Sequence, residues 1–404
     1  MIFCTDPLLR LCRVGIGNAP SNERQTRQAE GKESTLQERI EQIASAKTPL
    51  IRNSWYVAAT SDEIGEALTA RWLLGRSVLV YRISTGEVAA LDNRCPHRSF
   101  PLSGGYREGD NVVCAYHGME FGPDGKCHKV PAITKTPANI RTVTYPVVER
   151  HPLVWIWMGD PKAADESLIP SHLALDEEGW ATVNGYYHLK ANYVGIHENL
   201  QDLSHFEHLH RTSIGAPSQA VANIDVDDRP DGIYSTRVYA DIPAPPLWKR
   251  LLNLGGERLT RTIVESFRSP ALCEAATTLT DVSLPEGADR DYQLRILHFI
   301  TPEFQDTTHY FWFFVRDFQI DDPSVGEEVY AGIKAAFMED KVALEGIQEI
   351  ASLDDREDFR EMSFMSDKAG ILLRRRLAKL ANAEHVPIGN EGGDRSALLE
   401  TANA

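Results

Sequence analysis

Two short segments pair a cysteine with a histidine. Cys95-Pro96-His97 is followed, after sixteen intervening residues, by Cys114-Ala115-Tyr116-His117. Each pair offers one soft thiolate and one imidazole. Two thiolates can hold one iron of a sulfur-bridged [2Fe–2S] pair while two neutral imidazoles hold the other. That substitution lifts the potential to between roughly −150 and +300 mV. Gly104, Gly105 and Gly118 flank the pairs and are expected to let backbone N–H groups approach the sulfurs, which tunes such clusters. A structural zinc site uses the same residue types in a tetrahedron. Its usual spacing, however, groups Cys with Cys and His with His. A zinc-stapled binding protein without redox chemistry is therefore the rival reading from another class. Cys4, Cys12, Cys127 and Cys273 have no ligand partner at a recognisable spacing and read as ordinary thiols.

A second group lies in Asn199-Leu200-Gln201-Asp202-Leu203-Ser204-His205-Phe206-Glu207-His208-Leu209-His210. An Fe(II) oxygenase site needs two histidines and one carboxylate on one face of the metal, leaving room for O₂ and substrate. His205 is one candidate. On an ideal helix His208 shares its side, whereas His210 lies roughly 140° round. Helical geometry alone favours His208; for His210 to bind, the helix must end or distort at about Glu207. The carboxylate is sought where an acid replaces an apolar residue. Along the stripe Ile333, Phe337, Leu344, Ile347 the inward position between 337 and 344 is Asp340, with Glu339 and Lys341 expected to turn away. A buried carboxylate is costly unless paired or metal-bound; the plainer alternative is a surface Asp beside Lys341.

The elements that would carry these residues fall into two kinds. From Ile51 to about Gly159 short apolar runs, Ser77 to Ile83, Val88 to Leu91, Asn111 to Ala115 and Leu153 to Met158, alternate with Gly- and Ser-rich turns, which predicts a compact all-β domain over 51–159. After Asp160-Pro161 longer helical patterns mix with strands, predicting an α+β domain over 160–385. Leu189, Tyr193, Ile196, Leu200 and Leu203 mark a helix entering the His-rich stretch, His309 to Phe318 a strand, and Val329 to Ile347 a long helix. On the strand, His309 and Trp312 are candidates to line a substrate pocket, although aromatic strand residues more often pack in a core. Residues 1–50 read as a mobile extension, rich in Glu, Gln, Arg and Ser from Pro20 to Lys47, and 386–404 as a flexible tail. The 404 residues carry a net charge of −16, which argues against nucleic acid or an anionic membrane surface as partner and suits a basic protein partner. No apolar run is long enough to span a bilayer, the start lacks a signal-peptide pattern, and scattered cysteines point to a reducing compartment. The expected location is the cytoplasm.

Taken together, the two constellations resemble the Rieske non-haem iron oxygenases over roughly Asn53 to Leu353. Within that family the chain is similar to the vanillate O-demethylase and dicamba monooxygenase group, through Asn53-Ser54-Trp55-Tyr56, Ala115-Tyr116-His117-Gly118, Asn199-Leu200-x-Asp202-Leu203-x-His205 and Thr308-His309-Tyr310-Phe311-Trp312. The resemblance implies a Rieske [2Fe–2S] domain followed by a catalytic domain with an antiparallel, helix-grip-like sheet. It implies Cys95, His97, Cys114 and His117 as cluster ligands, and His205, His210 and Asp340 as ligands of a mononuclear Fe(II), choosing His210 over His208. Asp202, with Asn199 beside it in the same motif, falls at the catalytic position that links the iron-bound histidine to a cluster histidine of a neighbouring subunit, hence a homotrimer. The implied partners are an NAD(P)H-dependent reductase or ferredoxin, since no dinucleotide fingerprint is present, with O₂ and an aromatic substrate. O-demethylation of a methoxylated aromatic acid is the leading expectation. Ring hydroxylation, as by a dioxygenase, is the alternative on the same scaffold.

Overall fold

The computed structural model describes residues 48–385, apart from 172, 212–213, 215–223, 355, 357–358 and 360. The expected extension up to residue 47, with Cys4 and Cys12, and the expected tail over 386–404 lie outside the described residues.

The apolar runs of the first half form ten short strands: β1 (Trp55–Thr60), β2 (Thr69–Leu73), β3 (Arg76–Arg82), β4 (Val88–Asp92), β5 (Tyr106–Glu108), β6 (Asn111–Val113), β7 (Glu120–Phe121), β8 (Cys127–Lys129), β9 (Val147–Arg150) and β10 (Leu153–Trp157). They make antiparallel sheets in the orders β1-β10-β9, β2-β3-β4 and β5-β6-β7-β8. The strand expected over Asn111 to Ala115 stops at Val113, because Cys114 opens a turn.

In the second half β11 (Ala181–Leu189) leads to helix α1 (Tyr193–Gln201), then β12 (Asp225–Arg229), β13 (Gly232–Pro243), the short α2 (Pro246–Leu251), β14 (Arg258–Ser269), β15 (Leu272–Asp281), β16 (Asp291–Pro302) and β17 (Thr308–Arg316). The long α3 (Pro323–Leu353) and α4 (Lys368–His385) follow. The seven strands pair antiparallel in the order β11-β17-β16-β15-β14-β13-β12. Both faces of this sheet are covered where β17 runs, so all nine of its residues are buried. Tyr310, Trp312 and Phe314 pack with Val329, Ile333 and Phe337 of α3. On the opposite face Phe311, Phe313 and Val315 pack with Trp55, Trp155 and Trp157 of the first sheet. Each such fully buried side chain contributes about 1.5–3 kcal/mol. Hydrogen bonds from Thr301 Oγ1 to the Val57 carbonyl (2.8 Å) and from Leu74 N to the Pro302 carbonyl (2.8 Å) add polar ties across the same junction.

Two helix expectations need correction. Leu189 ends strand β11 rather than starting a helix; α1 begins only after Asn192, whose side chain caps Val194 N–H at 2.9 Å. On α3, Val329, Ile333, Phe337, Asp340 and Leu344 are buried as the stripe predicts, but Ile347 is exposed. Steps of four from Asp340 reach Leu344 and then Gln348, which is buried and accepts Asn192 N–H at 2.8 Å.

Candidate active site

The two Cys/His segments adopt the same turn. Cys95 N–H donates to the Phe100 carbonyl and Ser99 N–H returns to the Cys95 carbonyl; Cys114 N–H donates to Met119 and Gly118 N–H returns to Cys114. The returning residue sits at positive φ in both, Ser99 at 58° and Gly118 at 71°, and glycine meets that demand without strain. A Cβ on Gly105 would lie 2.1 Å from the Val113 carbonyl oxygen, so only glycine lets β5 approach β6 this closely beside the second turn. The glycine N–H groups do not reach the sulfurs as expected. Those of Gly104, Gly105 and Gly118 donate to the carbonyls of Pro101, Leu102 and Cys114. The N–H groups that do act on the Cys95 thiol come from His97 and Arg98.

Both cysteines are buried, whereas both histidines are exposed, with ring centroids 4.4 Å apart. Burial pushes the Cys95 thiol up to about 11, the His97 and Arg98 N–H groups oppose it, and the adjacent Cys114 adds to it. Two thiols facing each other in a buried setting are a donor pair that a cation would relieve. Cys127 and Cys273 are free and buried elsewhere; Cys273 stands 3.0 Å from His197 Nδ1.

The second constellation depends on where α1 stops. Asp202 adopts extended backbone (φ −120°, ψ 103°) and ends the helix. Its carboxylate accepts Ser204 N–H at 2.9 Å and Ser204 Oγ–H at 2.7 Å, capping a tighter 3₁₀ turn over Leu203–Glu207. The distortion required for His210 thus begins earlier than Glu207. It brings the rings of His205 and His210 to 5.0 Å and leaves His208 exposed.

Asp340 meets both rings from α3. Its Oδ1 lies 3.6 Å from His205 Nε2 and 3.2 Å from His210 Nε2, and accepts Asn199 Nδ2–H at 3.1 Å. The far nitrogens are held as well: His205 Nδ1–H donates to the Asp202 carbonyl at 2.5 Å and His210 Nδ1–H to Glu339 Oε2 at 2.7 Å. Each imidazole therefore turns Nε2 towards the acid, the arrangement that second partners impose on metal-binding histidines. Burial lowers the pKa of His205 against the pull of Asp340. At His210 burial also opposes charge, but the hydrogen bonds to Asp340 and Glu339 prevail and raise it. Glu339 was expected to turn away from the stripe and instead reaches back to His210. Its signal in the sequence was adjacency to Asp340 at a helix position too close to the buried face for a wholly solvated acid.

A cavity of about 590 Å³ opens onto this group, a size suited to a small ligand. One wall is helical, from Asn199 to His210 and along α3 to Asp340; the other is the sheet, including Arg261, Ile263, Ile296, His298 and Phe314. His309 and Trp312 do not line it. His309 faces the other side of the sheet, where Nε2–H donates to the Trp72 carbonyl at 2.9 Å and Nδ1 meets Tyr186 Oη at 2.8 Å. Trp312 lies beneath α3, stacked on Tyr330 and edge-on to Phe337. The histidine of the sheet wall is His298, whose Nδ1 is 2.6 Å from Tyr310 Oη and whose pKa burial drives down to about 3. Sequence reading also missed Arg261 and Glu265. Strand alternation on β14 puts both in the row of Leu259, Ile263 and Phe267, and charge in an apolar row was the available signal.

A model of the Rieske [2Fe–2S] domain matches residues 54–146, and one of the vanillate O-demethylase oxygenase C-terminal domain matches residues 189–383. The iron–sulfur subunit of the toluene-4-sulfonate monooxygenase system of Comamonas testosteroni is 39% identical over 310 residues, spanning 75% of this chain and 89% of that protein. The chain belongs to the Rieske non-haem iron oxygenases. This oxygenase is also 32% identical, over 83% of its length and 98% of the relative's, to the oxygenase component of dicamba O-demethylase of Stenotrophomonas maltophilia. It superposes on dicamba monooxygenase bound to 3,6-dichlorosalicylic acid with a TM-score of 0.79 at 29% identity, covering 84% of this chain and 99% of that one. It is an oxidoreductase of the kind that carries a Rieske [2Fe–2S] cluster and a mononuclear iron.

Its residues fit both groups. Three donors about 2.1 Å from one ion on a shared face lie about 3 Å apart, and the donor atoms of His205, His210 and Asp340 lie within 4.8 Å of one another. Among the described residues no other three or more His, Cys, Asp or Glu donors are so gathered. The match of residues 54–146 to the Rieske [2Fe–2S] domain counts against the zinc reading of the Cys/His loops. Among the described residues no helix is long and apolar enough to cross a membrane.

Proposed function

We propose that this oxygenase O-demethylates a methoxylated aromatic acid, with His205, His210 and Asp340 holding the mononuclear iron. The observation that carries the reading is the cavity: it ends on these three residues, while Phe206, Phe314 and Phe337 supply apolar wall for an aromatic ring. Similarity to dicamba and vanillate O-demethylase oxygenase components supports the same chemistry. The bound iron supplies O₂ activation. The chain's part is to orient the two imidazoles through the Asp202 carbonyl and Glu339, to steady Asp340 through Asn199, and to keep water from the substrate methyl group. One atom of O₂ would enter the methyl C–H bond while the other leaves as water, using two electrons from the reductase and two protons, and the resulting hemiacetal collapses to a phenol and formaldehyde.

Cys95 and Cys114 hold one iron of the cluster, and His97 and His117 the other. The imidazoles are exposed, and the Asp202 side chain keeps 24% of its surface accessible. Both ends of an electron route thus lie at the surface, which supports transfer between subunits of a homotrimer, with Asp202 bridging to the cluster histidine of a neighbour. Electrons come from a separate NAD(P)H-dependent reductase or ferredoxin. The Rieske domain spans 51–159 and the catalytic domain 160–385. Free thiols at Cys127 and Cys273 suit the cytoplasm.

The test is a panel of methoxylated and non-methoxylated aromatic acids with reconstituted oxygenase, a surrogate reductase and NADH, comparing formaldehyde with O₂ uptake. Formaldehyde in step with O₂ is expected. Hydroxylated product without formaldehyde from any methoxy compound would replace demethylation with ring hydroxylation.

A further inference from the structure

The sheet wall of the cavity carries an arginine that, among the described residues, no hydrogen bond through Nε and no close ion pair holds. Arg261, the fourth residue of β14, is 8% exposed and lines the cavity from the same strand row as Ile263. Its Nε has no hydrogen-bond partner, and among the described residues no ion pair satisfies the guanidinium. The buried carboxylate of Glu265, on the same strand, is engaged: Arg237 Nη1–H and Ser235 Oγ–H both donate to its Oε2. Arg237 in turn lies 3.7 Å from Asp202. Glu265 and the neighbouring Tyr239 therefore act on Arg261 only through their charge and give its Nε–H no hydrogen bond. A desolvated guanidinium without a hydrogen-bonded partner is costly. A folded protein keeps one where something absent from the chain completes it.

We propose that Arg261 anchors the oxyanion of the substrate, a ring carboxylate or sulfonate, and so makes this oxygenase selective for anionic over neutral aromatics. The inference rests on the cavity being the site of an aromatic substrate. A guanidinium offers a planar fork that matches two oxygens of either group. With the oxyanion at Arg261, the ring runs along Ile263, Ile296 and Phe314 towards the His205, His210 and Asp340 end. Arg250, a second arginine of the wall, is already held by Glu328 (Nε to Oε1, 2.6 Å).

The experiment compares holoenzyme of wild type, Arg261→Met and Arg261→Lys by anaerobic calorimetric titration, without reductant. The ligands are 3-methoxybenzoate, 3-methoxybenzenesulfonate and the neutral 3-methoxybenzamide. Arg261→Met should weaken whichever anion the wild type prefers by about 30-fold, the worth of one charge-assisted pair. The amide should change by less than threefold, and Arg261→Lys should fall between. Ligand-free Arg261→Met should melt no lower than wild type, since an unpaired buried charge is removed, whereas a purely structural arginine would lower the melting temperature. Equal affinity of wild type for anions and amide would overturn the proposal. So would an Arg261→Met variant that binds both anions like wild type, or one that loses amide and anion alike. Formaldehyde release by wild type is scored separately: its absence would remove the demethylase reading while the anion preference, read from binding, stood.

Discussion

Glu339 provides the sharpest test of how the metal group is held. At His205 the far ring nitrogen is fixed by a main-chain carbonyl that no substitution removes. At His210 the same task falls to a side chain, Glu339, at 2.7 Å. His210 is almost wholly enclosed, with 1% of its side chain accessible, so water is a poor substitute for the lost acceptor. Glu339→Leu takes away a charge-assisted hydrogen bond worth about 1.5–3 kcal/mol, which corresponds to a loss of about 10- to 100-fold in iron affinity, the usual range for such supporting partners. Glu339→Gln keeps an acceptor and should lose about tenfold or less. Protons oppose the effect, because Glu339 is among the groups that raise the pKa of His210, so its removal also weakens proton competition for the ring. The deficit should therefore be largest at about pH 8, where competition is small, and shrink towards pH 6.5. The assay is anaerobic competition of Fe(II) with a calibrated chelator. Iron affinity of Glu339→Leu within twofold of wild type at pH 8 would refute the reasoning, as would a deficit that grows on acidification.

Removing Glu265 alone should destabilise the fold by about 3–5 kcal/mol in urea denaturation, because Arg237 is left buried beside Arg261; the double variant Arg237→Met/Glu265→Leu should recover much of it, and additive losses would contradict the pairing. Burial depresses His197 and His309 to about 4 and His298 to about 3. The unfolded chain then binds more protons than the folded one below about pH 6.5, and stability falls as pH drops from 6.5 towards 4. Each histidine contributes up to about 1.4 kcal/mol per pH unit. Glu265, raised by burial to about 7, is protonated in the folded state first and offsets about one of the three; a denaturation midpoint that is level between pH 6.5 and 5 would contradict this. Cys95→Ala should abolish the visible absorption and reduced-state EPR signal and lower iron from about three to about one per chain; loss of all iron would mean the two centres are not independently held.

The legible parts of this molecule were those set by local chemistry. Cys95, His97, Cys114 and His117 stood out because paired ligand types at that spacing have few other uses, and the structure sets both pairs on matching turns. Asp340 could be read because an acid interrupts an apolar stripe, and it is indeed buried on α3. The strands survived as apolar runs with shifts of a residue or two. What the sequence hid was set by distant contact. The break at Asp202 follows from one carboxylate capping Ser204, a choice that helical periodicity does not encode. Glu339 belongs to His210 only because α3 crosses the 3₁₀ turn. His309 was misplaced because a strand buried on both faces carries no alternation to say which face meets the cavity, and Trp312, on the same face as Phe314, is covered by Tyr330 and Phe337 of α3. Arg261 and Glu265 were discoverable from alternation on β14 but sat far along the chain from any recognised motif.

The division of the cavity between a helical wall and a strand wall has a practical meaning. His205, His210 and Asp340 come from the 3₁₀ turn after α1 and from α3, whereas the facing wall is built from alternate positions on β14, β15 and β16 with Phe314 of β17, set on a lattice with spacings of about 6.6 Å along a strand and 4.8 Å between strands. Glu265 is tied to the opposing wall through Arg237 and Asp202, but apolar lattice side chains such as Ile263 and Ile296 can be exchanged without breaking a polar tie to the opposing groups. Selectivity and oxidising power are thereby written in different parts of the chain, and a laboratory redesign for a new aromatic could be confined to the lattice.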